Sequence, residues 1–205
     1  MPNSFSRFLS YLFHPILMPL YAVALLLNLN TYIAYSISPQ LQRIIISLVL
    51  VTTGILPVLT SLILLQKGMI RSFEMHTTNE RRIPFIATSL FYLICYYLII
   101  RLPVPRMLSL MVLGATITIL IAWILNFRWK VSIHMIGIGG LAGMLFGISQ
   151  VLNANLVLIL VATIFVCGLL GSARMKLGAH TPAQIYTGFA IGFFVEWILI
   201  RWLSN

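Results

Sequence analysis

The chain has 205 residues, 60% of them hydrophobic and only 8% charged, and its 13 Lys and Arg against 3 acids give a net charge of +10. Globular domains are about 45–50% apolar and about 25% charged, so a soluble protein is excluded: too little polar surface exists to cover a core. With no soluble domain to present a basic groove, nucleic acid is excluded as well. Membrane phosphate remains as the partner of the basic excess, either as surface headgroup or as bound ligand.

A membrane-crossing helix needs about 20 apolar residues. Such runs fall in chain order at roughly 8–30, 43–66, 83–100, 107–127, 134–150, 155–172 and 184–203. The first is too long for a signal peptide and lacks a small-residue cleavage pattern; its His14, in "FHPILMPLY", is read as structural. Cys95 and Cys167 both lie inside apolar runs, which argues against a disulfide or a metal site. All seven runs are helices, because an open sheet edge does not survive in lipid. Short connections make the expected fold a single transmembrane domain over 1–205, an all-α integral membrane protein built as an antiparallel helical bundle of about seven (six to seven) transmembrane helices. Gly139, Gly143 and Gly147, and later Gly188 and Gly192, have the small-xxx-small spacing that lets helices approach closely. Glu196, inside the last run, is expected to pair with a donor on a neighbouring helix or to near the far interface.

Parity organises the charges. The polar segments 67–82, 128–133 and 173–183 follow the second, fourth and sixth runs, so all three emerge on one face, together with the N-terminus. That face carries Lys67, Arg71, Arg81, Arg82, Arg128, Lys130, Arg174 and Lys176, with Arg7, His76, His134 and His180; the other has only Arg43, Arg101, Arg106 and Arg201. The positive-inside rule accounts for such loop cations and would put this face in the cytoplasm. It does not account for the histidines, and cations engaged with substrate would leave the orientation open.

Three clusters on that face carry candidate chemistry. In "GSARMKLGAHTPAQ", Thr181, Pro182 and Gln184 form an N-cap, a first-position proline and a capping-box partner. His180 therefore precedes a helix N-terminus, where backbone N–H groups favour an anion. Arg174 and Lys176 with that terminus suit a phosphate, and the imidazole supplies a nucleophile beside it. In "KVSIHMIGIGG", Lys130, Ser132 and His134 alternate before a glycine-rich helix, and His134 suits a general acid for a leaving oxygen. In "RSFEMHTTNERRIPF", Arg81 and Arg82 precede Pro84; Glu74 and Glu80 can pair with them as an ordinary loop ion network, which contributes little.

These stretches resemble the three motifs of the type-2 phosphatidic acid phosphatase (PAP2) superfamily. The third motif is Ser-Arg, five residues, His, three residues, Asp; here Arg174, His180 and Gln184 match that spacing, with Ala173 inserted after Ser172. Ser132 and His134 resemble the end of the second, Pro-Ser-Gly-His, and Arg81–Pro84 the Arg-Pro end of the first. The resemblance covers about 67–195 and implies a PAP2-like core at about 67–205. It implies His180 as the nucleophile forming a phosphohistidine, His134 as the general acid, and Gln184 at the position of the acid that orients the nucleophile. Arg174, Arg82 and Ser132 would bind phosphate, with Arg81, Lys130 and Lys176 as further cations, and no metal or other cofactor is needed. The chain departs from the pattern at Gln184 for Asp, Ile133 for Gly, Val131 for Pro and Met75 at the lysine position.

The function expected from these residues is metal-independent hydrolysis of a phosphomonoester or diphosphate of a membrane lipid, phosphatidate-like or a prenyl diphosphate, in the bacterial inner (cytoplasmic) membrane. The alternative is a degenerate relative that binds a phosphorylated lipid without hydrolysis. A transporter has only the seven spans in its favour, and no histidine pair has the spacing of helix-borne zinc ligands.

Overall fold

The computed structural model describes residues 2–73, 75 and 77–204. Glu74 and His76 lie outside the described residues. The protein is an all-α integral membrane protein, with seven helices among the described residues long and apolar enough to cross a bilayer: Ser4–Asn28, Pro39–Gln66, Thr78–Ile99, Arg106–Leu125, Ile133–Leu152, Val157–Lys176 and Pro182–Leu203. Each overlaps one expected run; the second, third and seventh begin two to five residues earlier, where Ser38, Thr77 and Thr181 cap the helix, while the ends at Asn28, Ile99 and Leu125 and the start at Val157 fall one or two residues inside the expected bounds.

The first two spans are not uniform. Helix α1 (Pro2–Leu12) stops because Pro15 has no N–H and disfavours a helical residue before it, so His14 is extended at φ −66°, ψ 138°. A 3-10 turn (Pro15–Leu17) then leads into α2 (Met18–Asn28). After the short α3 (Tyr32–Ser36), α4 (Pro39–Val49) begins at a Ser38 cap with Pro39 at its first position. A π-helical stretch (Leu50–Ile55) joins it to α5 (Leu56–Gln66), where Pro57 cannot donate the bond that a continuous α-helix needs.

Tertiary contacts divide the chain into two compact units, Met1–Met18 with Val131–Asn205, and Pro19–Lys130. In the second unit, α6 (Thr78–Ile99) packs on α7 (Arg106–Leu125) and α5. Glu80, expected as a loop partner of Arg81 and Arg82, is engaged by backbone groups. It closes a capping box with Thr77, and its two carboxylate oxygens accept the backbone N–H groups of Thr77 (3.3 Å) and Arg71 (3.2 Å). The end of α7 meets the start of α6: Asn126 Nδ2 donates to Thr78 O at 2.6 Å, and the Arg82 guanidinium lies 4.8 Å from the centre of the Phe127 ring.

In the first unit, α8 (Ile133–Leu152), α9 (Val157–Lys176) and α10 (Pro182–Leu203) pack together, with α1 against α9. Neighbours in sequence run antiparallel, but the pair in closest approach, α8 and α10, is parallel. Its contacts climb in register on both helices: Gly188 meets Ser132, Gly192 meets Ile136, Gly143 meets Phe193 and Gly147 meets Ile200. A Cβ on Gly192 would overlap Ile136 O, and one on Gly143 would overlap Phe193 O. Both glycine series thus belong to one interface, and backbone-to-backbone approach is what it depends on. Glu196 is buried on this interface opposite Gly140, and its Oε2 has no hydrogen-bond partner among the described residues. The room for the side chain comes from that glycine.

Candidate functional site

Three helix ends of the first unit meet, and each is shaped by its local sequence. At the end of α9, Gly178 adopts φ +64°, a conformation that suits glycine. The N–H of Gly178 bonds to Met175 O (2.9 Å) and that of Ala179 to Arg174 O (3.1 Å), the paired bonds of a Schellman stop. The stop turns the chain at once, so only a few residues separate Arg174, in the last turn of α9, from the Thr181 cap of α10. Arg174 also sits where the helix dipole favours a cation.

The opening of α10 positions His180. Gln184 N donates to Thr181 Oγ1 (3.4 Å), and Gln184 Oε1 accepts both Thr181 N–H (3.1 Å) and His180 Nδ1 (3.1 Å). The Thr181 N–H is a donor only, so the atom opposite it is the amide oxygen. An oxygen there requires Nδ1 of His180 to carry the proton, which makes Nε2 the lone-pair nitrogen of the neutral ring. Gln184 is therefore a capping residue and the orienting partner of His180 at the same time, through one oxygen. The two readings of it in the sequence are not exclusive.

The opening of α8 supplies the facing groups. Ser132 is extended at the N-cap, and its N–H donates to Gln184 O at 3.3 Å across the α8–α10 contact. Its carbonyl reaches that contact because Gly188 has no side chain there. His134 is buried in the first turn of α8 and donates Nε2–H to Ser10 O at 3.2 Å; a carbonyl can only accept, so Nδ1 bears the lone pair. Arg174 reaches the same residue, its guanidinium donating to Ser10 Oγ at 3.2 Å. The His14 ring meets His134 edge-on, with centroids 5.5 Å apart and planes at 80°. Arg174, His14 and His180 all lie within electrostatic range of the His134 ring.

In this cluster Ser132 Oγ and His134 Nδ1 are buried with no hydrogen-bond partner among the described residues. Unsatisfied buried groups of this kind cost about 1–3 kcal/mol each, and native proteins carry few of them. One lies at the N-cap and the other in the first turn of a helix whose N-cap makes no side-chain bond. An ordered water or a polar ligand at the start of α8 would satisfy both groups. A ligand with oxygens of both kinds, accepting from a hydroxyl and donating to an imidazole, matches them; a partly protonated phosphate is one.

Of the residues singled out in the sequence, the structure gathers Ser132, His134, Arg174, His180 and Gln184 in the first unit. Lys176, in the last turn of α9, is exposed. Arg81, Arg82 and Lys130 belong to the second unit. There Arg81 is buried and donates Nε–H to Met75 O at 2.9 Å, Arg82 is exposed over Phe127, and Lys130 is half-buried. Ser10 and His14 join the cluster without having been singled out for it. The available signal was parity, which puts the N-terminus on the same face as the three clusters. Among the described residues, no group of three or more His, Cys, Asp or Glu is close enough together to hold a metal ion. Comparison with protein-family models, with curated proteins and with solved structures finds no match.

Proposed function

We propose that the protein is a membrane-embedded, metal-independent lipid phosphatase or pyrophosphatase of PAP2 type, acting on a phosphomonoester or diphosphate of a membrane lipid in the bacterial inner membrane. His180 Nε2 attacks phosphorus, the P–N bond forms as the bond to the leaving oxygen breaks, and His134, in its protonated form, gives the proton at Nδ1 to that oxygen. Water then attacks the phosphohistidine while His134 takes back a proton, releasing phosphate and restoring both rings. Arg174 and Ser132 Oγ hold the phosphoryl oxygens, with the N–H groups at the start of α8.

The observation that carries this reading is the division of labour between two imidazoles. Each has one ring nitrogen committed to an oxygen of the protein, His180 Nδ1 to Gln184 and His134 Nε2 to Ser10. The opposite nitrogens are the ones the chemistry uses. A lipid carries its phosphate at the membrane surface, where loop and helix ends lie, and a substrate of phosphatidate or prenyl diphosphate type fits that placement.

Phosphate release from vesicles doped with each lipid class, by purified protein in the presence of a chelator, tests the activity. Turnover abolished by His180→Ala and a trapped acid-labile phosphohistidine are expected. Turnover that persists in His180→Ala would sink the mechanism. A second reading, binding without hydrolysis, is favoured by the neutral Gln184 at the position of the family's acid. It predicts phosphate-dependent stabilisation with no release from any lipid.

A further inference from the structure

The groups around His134 include a segment that carries no motif. Helix α1 turns Ser6, Leu9 and Ser10 inward, where they are buried, and leaves Phe5, Phe8, Tyr11 and Leu12 exposed. Ser10 lies in its last turn and touches two of the candidate phosphate-site residues at once, through different atoms.

Its carbonyl is available because the helix breaks. A continued helix would give the His14 N–H to Ser10 O, but that N–H bonds to Tyr11 O at 3.3 Å while Phe13 N–H takes Leu9 O at 2.9 Å. The His14–Pro15 step is the cause: Pro15 forces His14 out of helical conformation. The last carbonyls of a helix lack intrahelical donors, and this one is taken by His134 Nε2–H across 124 positions of sequence. The hydroxyl is directed as well. It donates to Ser6 O at 2.9 Å, which commits its proton and turns its lone pairs to other donors; the Arg174 guanidinium occupies one at 3.2 Å.

We infer that Ser10 is a positioning residue of the phosphate site: its carbonyl sets the tautomer of His134, and its hydroxyl holds the Arg174 guanidinium where it can meet an anion. The N-terminal helix is then a wall of the site. This inference rests on the reading of the cluster as a phosphate site, and does not require that the site turn substrate over. The hydroxyl half of the role acts entirely through Arg174, which makes it separable from a general contribution to folding.

The test is inorganic phosphate binding by the full chain in detergent, by calorimetry, with the phosphate-free unfolding midpoint as the control for folding. Ser10→Ala removes the acceptor and is expected to weaken phosphate binding about tenfold, the scale of one hydrogen bond to a charged group. Ser10→Thr keeps the hydroxyl and is expected to bind as the parent does. In a protein already carrying Arg174→Ala, Ser10→Ala is expected to add nothing, since non-additivity marks residues that act as a pair. If Ser10→Ala does not fold, Ser10→Cys, a weak acceptor of similar size, is expected to show the same loss. Unchanged affinity in Ser10→Ala or Ser10→Cys overturns the inference, and so do losses that multiply with Arg174→Ala. A parent protein that binds phosphate but releases none from lipids refutes the hydrolase reading and leaves this one standing on the Ser10 variants. A parent that binds no phosphate overturns both.

Discussion

Gln184→Glu is the most discriminating change to make at the site. In the parent, one neutral amide oxygen accepts from both His180 Nδ1 and Thr181 N–H, each at 3.1 Å. Glutamate has the same length, also serves as a capping-box residue, and puts a negative charge in the first turn of α10, where the helix dipole favours it by about 0.3–1 kcal/mol. The variant is therefore expected to fold at least as well as the parent. The gain in the reaction comes from charge. As His180 Nε2 bonds to phosphorus, its ring becomes cationic, and the partner of Nδ1–H then faces an ion. The amide already bonds to that cation; the carboxylate adds the attraction of an opposite charge, which at 3.1 Å is about 1–1.5 kcal/mol even with the screening of bulk water. That gain corresponds to roughly a tenfold rate increase. It should fall on kcat rather than KM, because the charge on the ring develops only on the way to the transition state. The assay is steady-state phosphate release from a lipid phosphate in mixed micelles, with Gln184→Ala as the opposite control, losing both the cap and the orienting oxygen. A Gln184→Glu protein that folds yet has an unchanged or lower kcat would refute the assignment of His180 as a nucleophile oriented through Nδ1.

Three further outcomes are expected. Ser132→Ala removes a hydroxyl that is fully buried with no partner among the described residues; the ligand-free unfolding midpoint should hold or rise, by up to about 1 kcal/mol in stability, while phosphate affinity falls about tenfold, the two readouts moving in opposite directions. Gly192→Ala places a Cβ against Ile136 O, a backbone atom that cannot step aside, and should destabilise the protein in detergent by about 1–3 kcal/mol; Gly168→Ala, with open space around the new Cβ, should be neutral or stabilising by up to about 1 kcal/mol. His14→Phe keeps a ring edge against His134 and is expected to stay within about threefold of the parent in turnover, whereas His14→Ala loses a contact of about 0.5–1.5 kcal/mol and should fall by up to about tenfold; equal losses in both would point to the imidazole nitrogens instead.

The parts of this protein legible in the sequence are those with short-range causes. Hydropathy sets the seven spans, because each helix must satisfy its own backbone in lipid and therefore announces itself over about 20 residues. The caps are equally local: Thr181 with Gln184, Thr77 with Glu80 and the Gly178 stop each involve partners within five positions. His134, His180 and Arg174 stood out because three short clusters shared one face by parity and because the spacing of Arg174, His180 and Gln184 resembles a family motif.

Tertiary structure decided what those residues do for one another. The bonds from His134 and Arg174 to Ser10 join positions 124 and 164 apart, and nothing in "SYLFHP" marks its serine as their common partner. Glu80 was legible as a charge near two arginines, yet backbone N–H groups, fixed in place by the helix start, hold its carboxylate. The glycine series announced a close contact, but only the fold showed it to be α8 on α10 in parallel, which sets Ser132 against Gln184. Periodicity and capping are properties of a few consecutive residues. The pairing of surfaces is a property of the whole folded unit, and that pairing is what brings a serine from the N-terminal helix to the two residues it joins.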